Sequence, residues 1–382
     1  MSISWRLMHD DCISVEDRKI VADFVLSSPK LTYGERVKEF EAKWSEWLGV
    51  KHSVFVNSGS SANLLVVQAC KDLYGDKHGW VAQACTWATN VSPIIQLGQQ
   101  VNLVDVSLNT LGPAKDSLKD VLLREKPKFM FMTHVLGLPG FDEEILDLLR
   151  NEGVMLLEDT CESHGSTFRG KKLGSFGKAS TFSFYYGHHI TTIEGGMICT
   201  DDTELYHHLL LLRSHGLLRE LPSQLQKDRV VSGVDTRFTF LCNGFNVRNT
   251  DVHAVLGINQ MRRLDLCTEV RNRNYKAFLN ALDPELYHTD LITDGVSNFA
   301  LPIISKRDNI RDISRLLETS GVENRPLIAG NLFRHPMMNS VNCLRRDATA
   351  NWLHDHALYV GNNEFVTQDQ AIWLAETLNR SE

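Results

Sequence analysis

Two adjacent histidines stand in the run Phe182-Ser183-Phe184-Tyr185-Tyr186-Gly187-His188-His189-Ile190-Thr191-Thr192-Ile193-Glu194-Gly195-Gly196. Imidazole has an unperturbed pKa of about 6.5, so a histidine at a turn can take up and return a proton near neutral pH. The run opens with alternating aromatic and small residues, as a strand buried beside a ligand does. Its acid and two glycines lead into Met197-Ile198-Cys199-Thr200, a second short strand pattern. Ordinary turn histidines would look the same, so His188 and His189 need other groups to give them a task.

Three other places offer such groups. His52-Ser53-Val54-Phe55-Val56 reads as a strand and runs into Asn57-Ser58-Gly59-Ser60-Ser61-Ala62-Asn63 and a helix. A strand, a small-residue turn and a helix N-terminus can hold an anion, because backbone N–H groups and the helix dipole point at it. Gly59 and Ser60 are the candidates there. Val154-Met155-Leu156-Leu157-Glu158-Asp159 reads as a strand with an acid at its carboxyl end, where open α/β sheets place ligand contacts. Trp87 stands in the run Trp80–Thr89, which reads as a strand leading to a helix, and its flat indole can cover a ring and exclude water.

Ser183-Phe184, His188, Ile190-Thr191-Thr192 and Glu194-Gly195-Gly196 resemble the S-F-x-x-x-K-x-I-T-T-x-E-G-G run of the DegT/DnrJ/EryC1/StrS sugar aminotransferase family, whose members use pyridoxal phosphate (PLP). The family lysine that binds the cofactor covalently falls at His188. The same replacement, with a second histidine after it, marks the branch that dehydrates GDP-4-keto-6-deoxymannose at C3 in colitose biosynthesis. The resemblance covers nearly the whole chain. It implies deoxygenation of a nucleotide-linked 4-keto sugar in place of amine transfer. L-Glutamate would regenerate pyridoxamine phosphate (PMP), and ammonia would be released. His188 would be the catalytic base, with His189 a supporting neighbour.

The other site residues follow from the same resemblance. The Ser-Gly-Ser turn with Gly59 and Ser60 would grip the cofactor phosphate, Ser183 would join the cofactor contacts, and Trp87 would stack on the pyridine. Glu158-Asp159 and His164-Gly165 match E-D-x-A-x-x-H-G, which makes Asp159 the partner of the pyridine nitrogen. Glu162 stands where most members have glutamine, near the cofactor's 3-hydroxyl. Arg213-Ser214-His215-Gly216 matches R-x-H-G, which assigns His215, and Arg219 beside it, to the sugar. Gly244-Phe245-Asn246-Val247-Arg248 matches G-Y-N-x-R, whose asparagine reaches the cofactor phosphate of the neighbouring subunit. A homodimer with shared active sites is therefore expected.

Two other readings stay open. An aminotransferase could use Lys171, Lys172 or Lys178, although these precede the strand and the family lysine follows it. A non-enzymatic PLP-binding regulator would add a DNA-binding domain, for which the 382 residues show no spare segment.

Composition narrows the field. With 43% hydrophobic and 23% charged residues the chain is globular, and its net charge of −7 is interspersed, with no basic block for nucleic acid or a membrane surface. No run of about 18 apolar residues is present to span a membrane, and Met1–Arg6 lacks the apolar stretch of a signal peptide. The eight cysteines, at 12, 70, 85, 161, 199, 242, 267 and 343, include no C-x-x-C spacing. No metal site or iron–sulfur cluster is expected, unlike in the CDP-sugar 3-dehydratases that also carry histidine at the lysine position. Unpaired thiols fit a reducing cytoplasm.

The elements that must position these residues alternate between strand and helix. Helices are expected over Val15–Ser27 and Val37–Leu48, the latter with Phe40, Trp44 and Trp47 on one core-facing stripe. Strands are expected over Val101–Val106 and Lys128–His134, and helices over Asp142–Glu152, Asp202–Ser214 and Asp251–Leu264. Pro222–Ser232 reads as an irregular loop. Beyond about Arg271 come a strand at Asn298–Ile304, a helix at Ile310–Thr319 and an extended run at Asn324–Leu327. The expected fold is the aspartate-aminotransferase type (PLP fold type I): a large, mostly parallel α/β domain over residues 1–265 and a small C-terminal α+β domain over 266–382.

Overall fold

The structure is a computed structural model that describes residues 5–75, 79–339, 341, 343 and 347–380. Met1–Ser4, at the start of the segment in which no signal peptide is expected, lies outside the described residues.

Among the described residues twelve strands form three sheets. In chain order they are β1 (His52–Val56), β2 (Trp80–Gln83), β3 (Val101–Val104), β4 (Phe129–Thr133), β5 (Met155–Asp159), β6 (Thr167–Phe168), β7 (Lys171–Lys172), β8 (Ala179–Ser183), β9 (Gly196–Thr200), β10 (Ala300–Ile304), β11 (Asn324–Pro326) and β12 (Ala357–Gly361). The large sheet has the order β1-β9-β8-β5-β4-β2-β3. β9 runs against its neighbours β1 and β8, and every other adjacent pair is parallel. The small sheet, β10-β12-β11, is antiparallel, and β6 and β7 form a short hairpin.

The parallel strands are buried on both faces, which is why they read as unbroken apolar runs rather than as alternation. Phe129 and Phe131 of β4 enter one core, and Met130 and Met132 enter the core on the opposite face. The helices Gly59–Tyr74 and Thr203–Arg213 cover the first face through Leu65, Val66, Leu205 and Leu209. Lys115–Glu125 and Glu143–Asn151 cover the second through Leu118, Val121, Ile145 and Leu149. A third cluster is aromatic: Phe40 and Trp44 of helix Glu35–Leu48 pack on Phe55, Phe182 and Phe184. Trp47 lies half-buried at its edge.

Several elements differ from the sequence expectation by one or two residues at an end, among them the strand Ala300–Ile304 and the helix Glu35–Leu48. Three others differ as well. The third strand stops at Val104, because the Asp105 carboxylate turns aside to accept the Thr349 and Ala350 N–H groups at 2.9 and 2.8 Å. It thereby caps the helix Ala348–His356 from outside, as a negative group at a helix N-terminus does. The helix from Asp251 ends at Gln260, and a 3-10 turn, Met261–Arg263, passes the chain to the long helix Leu264–Ala281. Pro222–Ser232 is not wholly irregular, since Ser223–Asp228 forms a short helix.

A buried ion pair secures the first strand. The Arg213 guanidinium, fully buried at the end of its helix, donates to Glu41 at 2.7 Å and to Tyr33 at 2.9 Å. Glu41 also accepts the Phe55 N–H at 2.7 Å. Removing one partner of such a pair leaves an uncompensated buried charge and costs about 3–5 kcal/mol. Arg213→Met should therefore lower the urea midpoint strongly, and adding Glu41→Gln should recover part of the loss. An unchanged midpoint in Arg213→Met would show that the pair does not hold β1.

Candidate active site

A cavity of about 340 Å³ opens where the carboxyl ends of the parallel strands meet the small sheet. The turn after β1 forms one end. Ser58 caps the helix Gly59–Tyr74 by accepting the Ser61 N–H at 3.0 Å, and Ser58, Gly59 and Ser60 line the cavity. The leading N–H groups of that helix are then available to an anion.

Asp159 lies deeper, at the end of β5, only 4% exposed. Its carboxylate accepts Asn63 Nδ2 at 3.0 Å, Asn90 Nδ2 at 2.8 Å and the Cys161 N–H at 2.9 Å. Glu162 sits in the same wall and accepts the Leu136 N–H at 2.9 Å. Burial, helped by the nearby Asp159 charge, pushes its carboxyl up to about 8.

The turn between β8 and β9 carries the histidines. Two threonines fasten its base: Thr192 N–H and Thr191 Oγ1 both donate to Phe184 O, at 2.9 and 3.1 Å, and Thr192 Oγ1 donates to Glu194 O at 2.8 Å. Gly196 has no room for a side chain, because a Cβ there would stand 2.3 Å from Ser58 O. β9 can therefore start directly beneath the Ser58-Gly59 turn. His188 lines the cavity, half-buried, with the Phe299 ring 5.4 Å from its own. Burial, and then the Arg271 guanidinium, push its imidazole down to about 3, so it stays neutral near pH 7 with a nitrogen lone pair free to accept a proton. His189 turns away and is buried, its Nε2 3.1 Å from Ser297 O.

Gly59, Ser60, Trp87, Asp159, Glu162, Ser183 and His188 thus face one cavity. Asn246, His215 and Arg219 do not line it within this chain. Asn246 is exposed, its Oδ1 3.2 Å from Arg248 Nε. His215 is exposed in a left-handed turn (φ 60°), and the Arg219 guanidinium lies 5.7 Å over the Phe238 ring. The three lysines near the turn are elsewhere too. Lys171 donates to Ser175 O at 2.6 Å, Lys172 lies 4.9 Å over the Trp47 ring and Lys178 pairs with Asp202. No lysine lines the cavity among the described residues. Nor is any set of three His, Cys, Asp or Glu side chains among them grouped to hold a metal ion, and no helix among them is long and apolar enough to cross a membrane.

Sequence reasoning missed two groups. Phe299, Arg325 and Tyr359 come from the small domain, and Leu7 and Met8 from the N-terminal segment. Asn63 and Asn90 support Asp159 from behind. A signal existed for Asn63, a polar side chain buried on the helix face that carries Ala62, Leu65 and Val66.

The sequence profile of the DegT/DnrJ/EryC1/StrS aminotransferase family matches residues 11–378. The chain belongs to this family. It is 34% identical over 377 residues to the GDP-4-keto-6-deoxy-D-mannose 3-dehydratase of Escherichia coli O55:H7, covering 93% of this chain and 94% of that one. The structure of E. coli GDP-4-keto-6-deoxy-D-mannose-3-dehydratase with bound hydrated PLP superposes with a TM-score of 0.92 at 32% identity, over 99% of this chain and 100% of that one. A GDP-4-keto-6-deoxymannose-3-dehydratase with a trapped PLP–glutamate geminal diamine gives 0.89 at 32% identity, over 98% and 100%. The fold is the PLP-dependent aminotransferase type, a large mixed sheet with a small antiparallel C-terminal sheet.

The residues present fit that cofactor. An anion-ready helix N-terminus lies at one end of the cavity and a buried carboxylate lies deeper. The Trp87 indole, 55% exposed, lies on its wall. The Oδ1 atoms of Asn63 and Asn90 are buried without partners, so both amides are turned to present their N–H groups to Asp159.

Glu162 makes the apo protein sensitive to pH. A free glutamate has a pKa of about 4.3, so the folded state keeps a proton that the unfolded chain has already lost. The stability this contributes is full below about pH 4 and is lost as pH rises through about 8. Thermal unfolding of the apo protein between pH 5 and 9 should show wild type losing more stability than Glu162→Gln. Parallel curves would mean that Glu162 is ionised in the folded protein.

Proposed function

We propose that the protein removes the C3 hydroxyl of GDP-4-keto-6-deoxymannose, with PLP and PMP as cofactor and L-glutamate as amino donor. The products are the 3-deoxy-4-keto sugar, 2-oxoglutarate and ammonia. The observation that carries this reading is that His188, and among the described residues no lysine, faces the cavity that holds Asp159 and the Ser58–Ser60 turn.

When bound, the cofactor supplies the amino group that condenses with the sugar's C4 carbonyl and a ring that takes up electrons. Gly59 and Ser60 would hold its phosphate through the helix N-terminus. Asp159 would keep its ring nitrogen protonated through a charge-assisted bond. Trp87 would cover one ring face, Ser183 would contact the ring and Glu162 would serve the 3-hydroxyl. His188 would accept the proton released at the cofactor's C4′ carbon. It would then give a proton to the C3 hydroxyl oxygen, which leaves as water. Positioned proton transfer of this kind is worth roughly 10²–10⁴ in rate. The oxidation of glutamate balances the reduction at C3.

The protein acts as a homodimer, in which Asn246 of each chain reaches the cofactor phosphate of the other and His215 and Arg219 reach the sugar. Supporting this, all three side chains are exposed and stand outside their own cavity, and Arg219 lies over the exposed Phe238 ring. Its eight free cysteines suit the cytoplasm.

With PMP loaded, His188→Asn should bind cofactor and release ammonia from the sugar nucleotide at least 100-fold more slowly. His189→Asn should retain most of the rate, since its ring faces Ser297. Borohydride should leave no pyridoxyl group on wild type and should trap one on His188→Lys. Ammonia release by His188→Asn at the wild-type rate, or a pyridoxyl-lysine in wild type, would overturn the assignment.

A further inference from the structure

His188 sits at the tip of its turn, and the threonine bonds described above fasten only the base. At the tip, the His188 N–H donates to Tyr185 O at 3.0 Å, a bond internal to the turn. Besides the Phe299 ring beside His188, the tip makes outward contacts with the N-terminal segment. Tyr186 Oη donates to His9 O at 3.0 Å, and Cys12 Sγ lies 3.9 Å from Tyr186 O.

That segment is tied down at both ends. Trp5 is buried, exchanges backbone hydrogen bonds with Gly321 and Glu323 at 2.9 and 2.8 Å, and donates its indole N–H to Gly361 O at 2.8 Å. The His9 ring stacks on Phe365 at 4.1 Å. Cys12 O accepts from Gln260 at 3.0 Å and from Arg263. The segment therefore bridges the small domain and the large one, and it crosses the tip of the turn on the way. There Met8 lies on Gly187, the residue before His188. A Cβ at Gly187 would stand 2.6 Å from Met8 Sδ and 3.3 Å from its Cγ. Leu7, Met8, Gly187 and His188 all line the cavity.

We infer that Met8 is a positioning residue for His188: seated on the bare backbone of Gly187, it holds the tip of the turn in the place from which the imidazole moves protons. The inference rests on the proposed role of His188. A thioether chain fills an irregular gap of this kind well, and glycine alone leaves the gap open. A misplacement of about 1 Å at a proton-transferring group can cost on the order of 100-fold in rate.

The test uses full-length holoenzyme and two reactions. The glutamate half-reaction is followed by the absorbance change of the bound cofactor, and dehydration by ammonia release. Met8→Ala should lower the maximal rate of both by about 10- to 100-fold, with KM for glutamate changed by less than about threefold. Met8→Leu, of similar volume, should restore most of the rate. Gly187→Ala should be impaired as well, and the double variant Gly187→Ala with Met8→Ala should be no worse than either single one, since the two changes act through one contact. Hydrogen exchange of the apo protein gives a readout independent of activity: the amides of residues 186–189 should exchange faster in Met8→Ala, with the urea midpoint unchanged. A wild-type rate in Met8→Ala, or losses that multiply in the double variant, would overturn the inference. If wild type fails to dehydrate the GDP sugar, the functional reading falls. The glutamate half-reaction and the exchange data still decide the role of Met8.

Discussion

Asp159 is a carboxylate in a place with almost no solvent, and its three partners are all neutral donors. Hydrogen bonds to a charged group contribute about 1.5–3 kcal/mol each, and a buried charge left without them is far more costly. The donors come from separate parts of the chain: Asn63 from the helix after β1, Asn90 from the turn that carries Trp87, and Cys161 from the chain just beyond β5. Satisfying one carboxylate therefore pins three elements at one point. The anion-ready helix start, the exposed indole and the acid are fixed relative to each other before any ligand arrives. Preorganisation of this kind reduces what a ligand must spend on ordering its site.

The opposite wall comes from far away in sequence. Phe299 leads into β10, and its carbonyl accepts from Arg271 Nη1 at 2.9 Å. The same nitrogen donates to Asn362 O at 2.6 Å, and Asn362 Nδ2 returns a bond to Arg271 O at 2.8 Å. Asn274 and Asn298 complete this buried network. It joins the long helix Leu264–Ala281 to the end of β12 and holds the Phe299 ring against His188. Arg271 thus acts on the histidine twice, sterically through Phe299 and electrostatically by disfavouring its charged form.

Most of this fold was legible because its elements announce themselves locally. β1 and the helix Ile310–Thr319 begin and end where their patterns do, and the both-faces-buried strands β4 and β5 read as apolar runs. The residues that came to face one cavity were legible for a different reason: each stands in a short run whose spacing matched a known family. What stayed hidden depends on contacts between distant segments. Asp105 looked like the tail of a strand because its helix-capping partners lie at Thr349 and Ala350. Arg271 reads as one more cation on an amphipathic helix, and its burial appears only when β12 packs over it. Leu7 and Met8 belong to no periodic element, so no pattern marked them as part of a cavity wall.

The exchange of lysine for histidine changes what the surrounding structure must supply. A lysine ammonium rides on a flexible four-carbon stem and can find its target from an imperfect backbone position. An imidazole has two side-chain torsions, so the backbone of the turn sets where its nitrogens lie. The features around His188 answer that demand. The threonine pair locks the base of the turn, Gly196 lets the next strand start hard against the Ser58-Gly59 turn, and the Phe299 ring lies beside the imidazole. His189, held by Ser297 O, ties the neighbouring residue into the wall behind. On the proposed assignment the second histidine has no proton to move, and its bond to Ser297 O holds the backbone beside the first. The base proposed for His188 is short and rigid and needs a rigid seat, and in this chain the residues around it come from both domains.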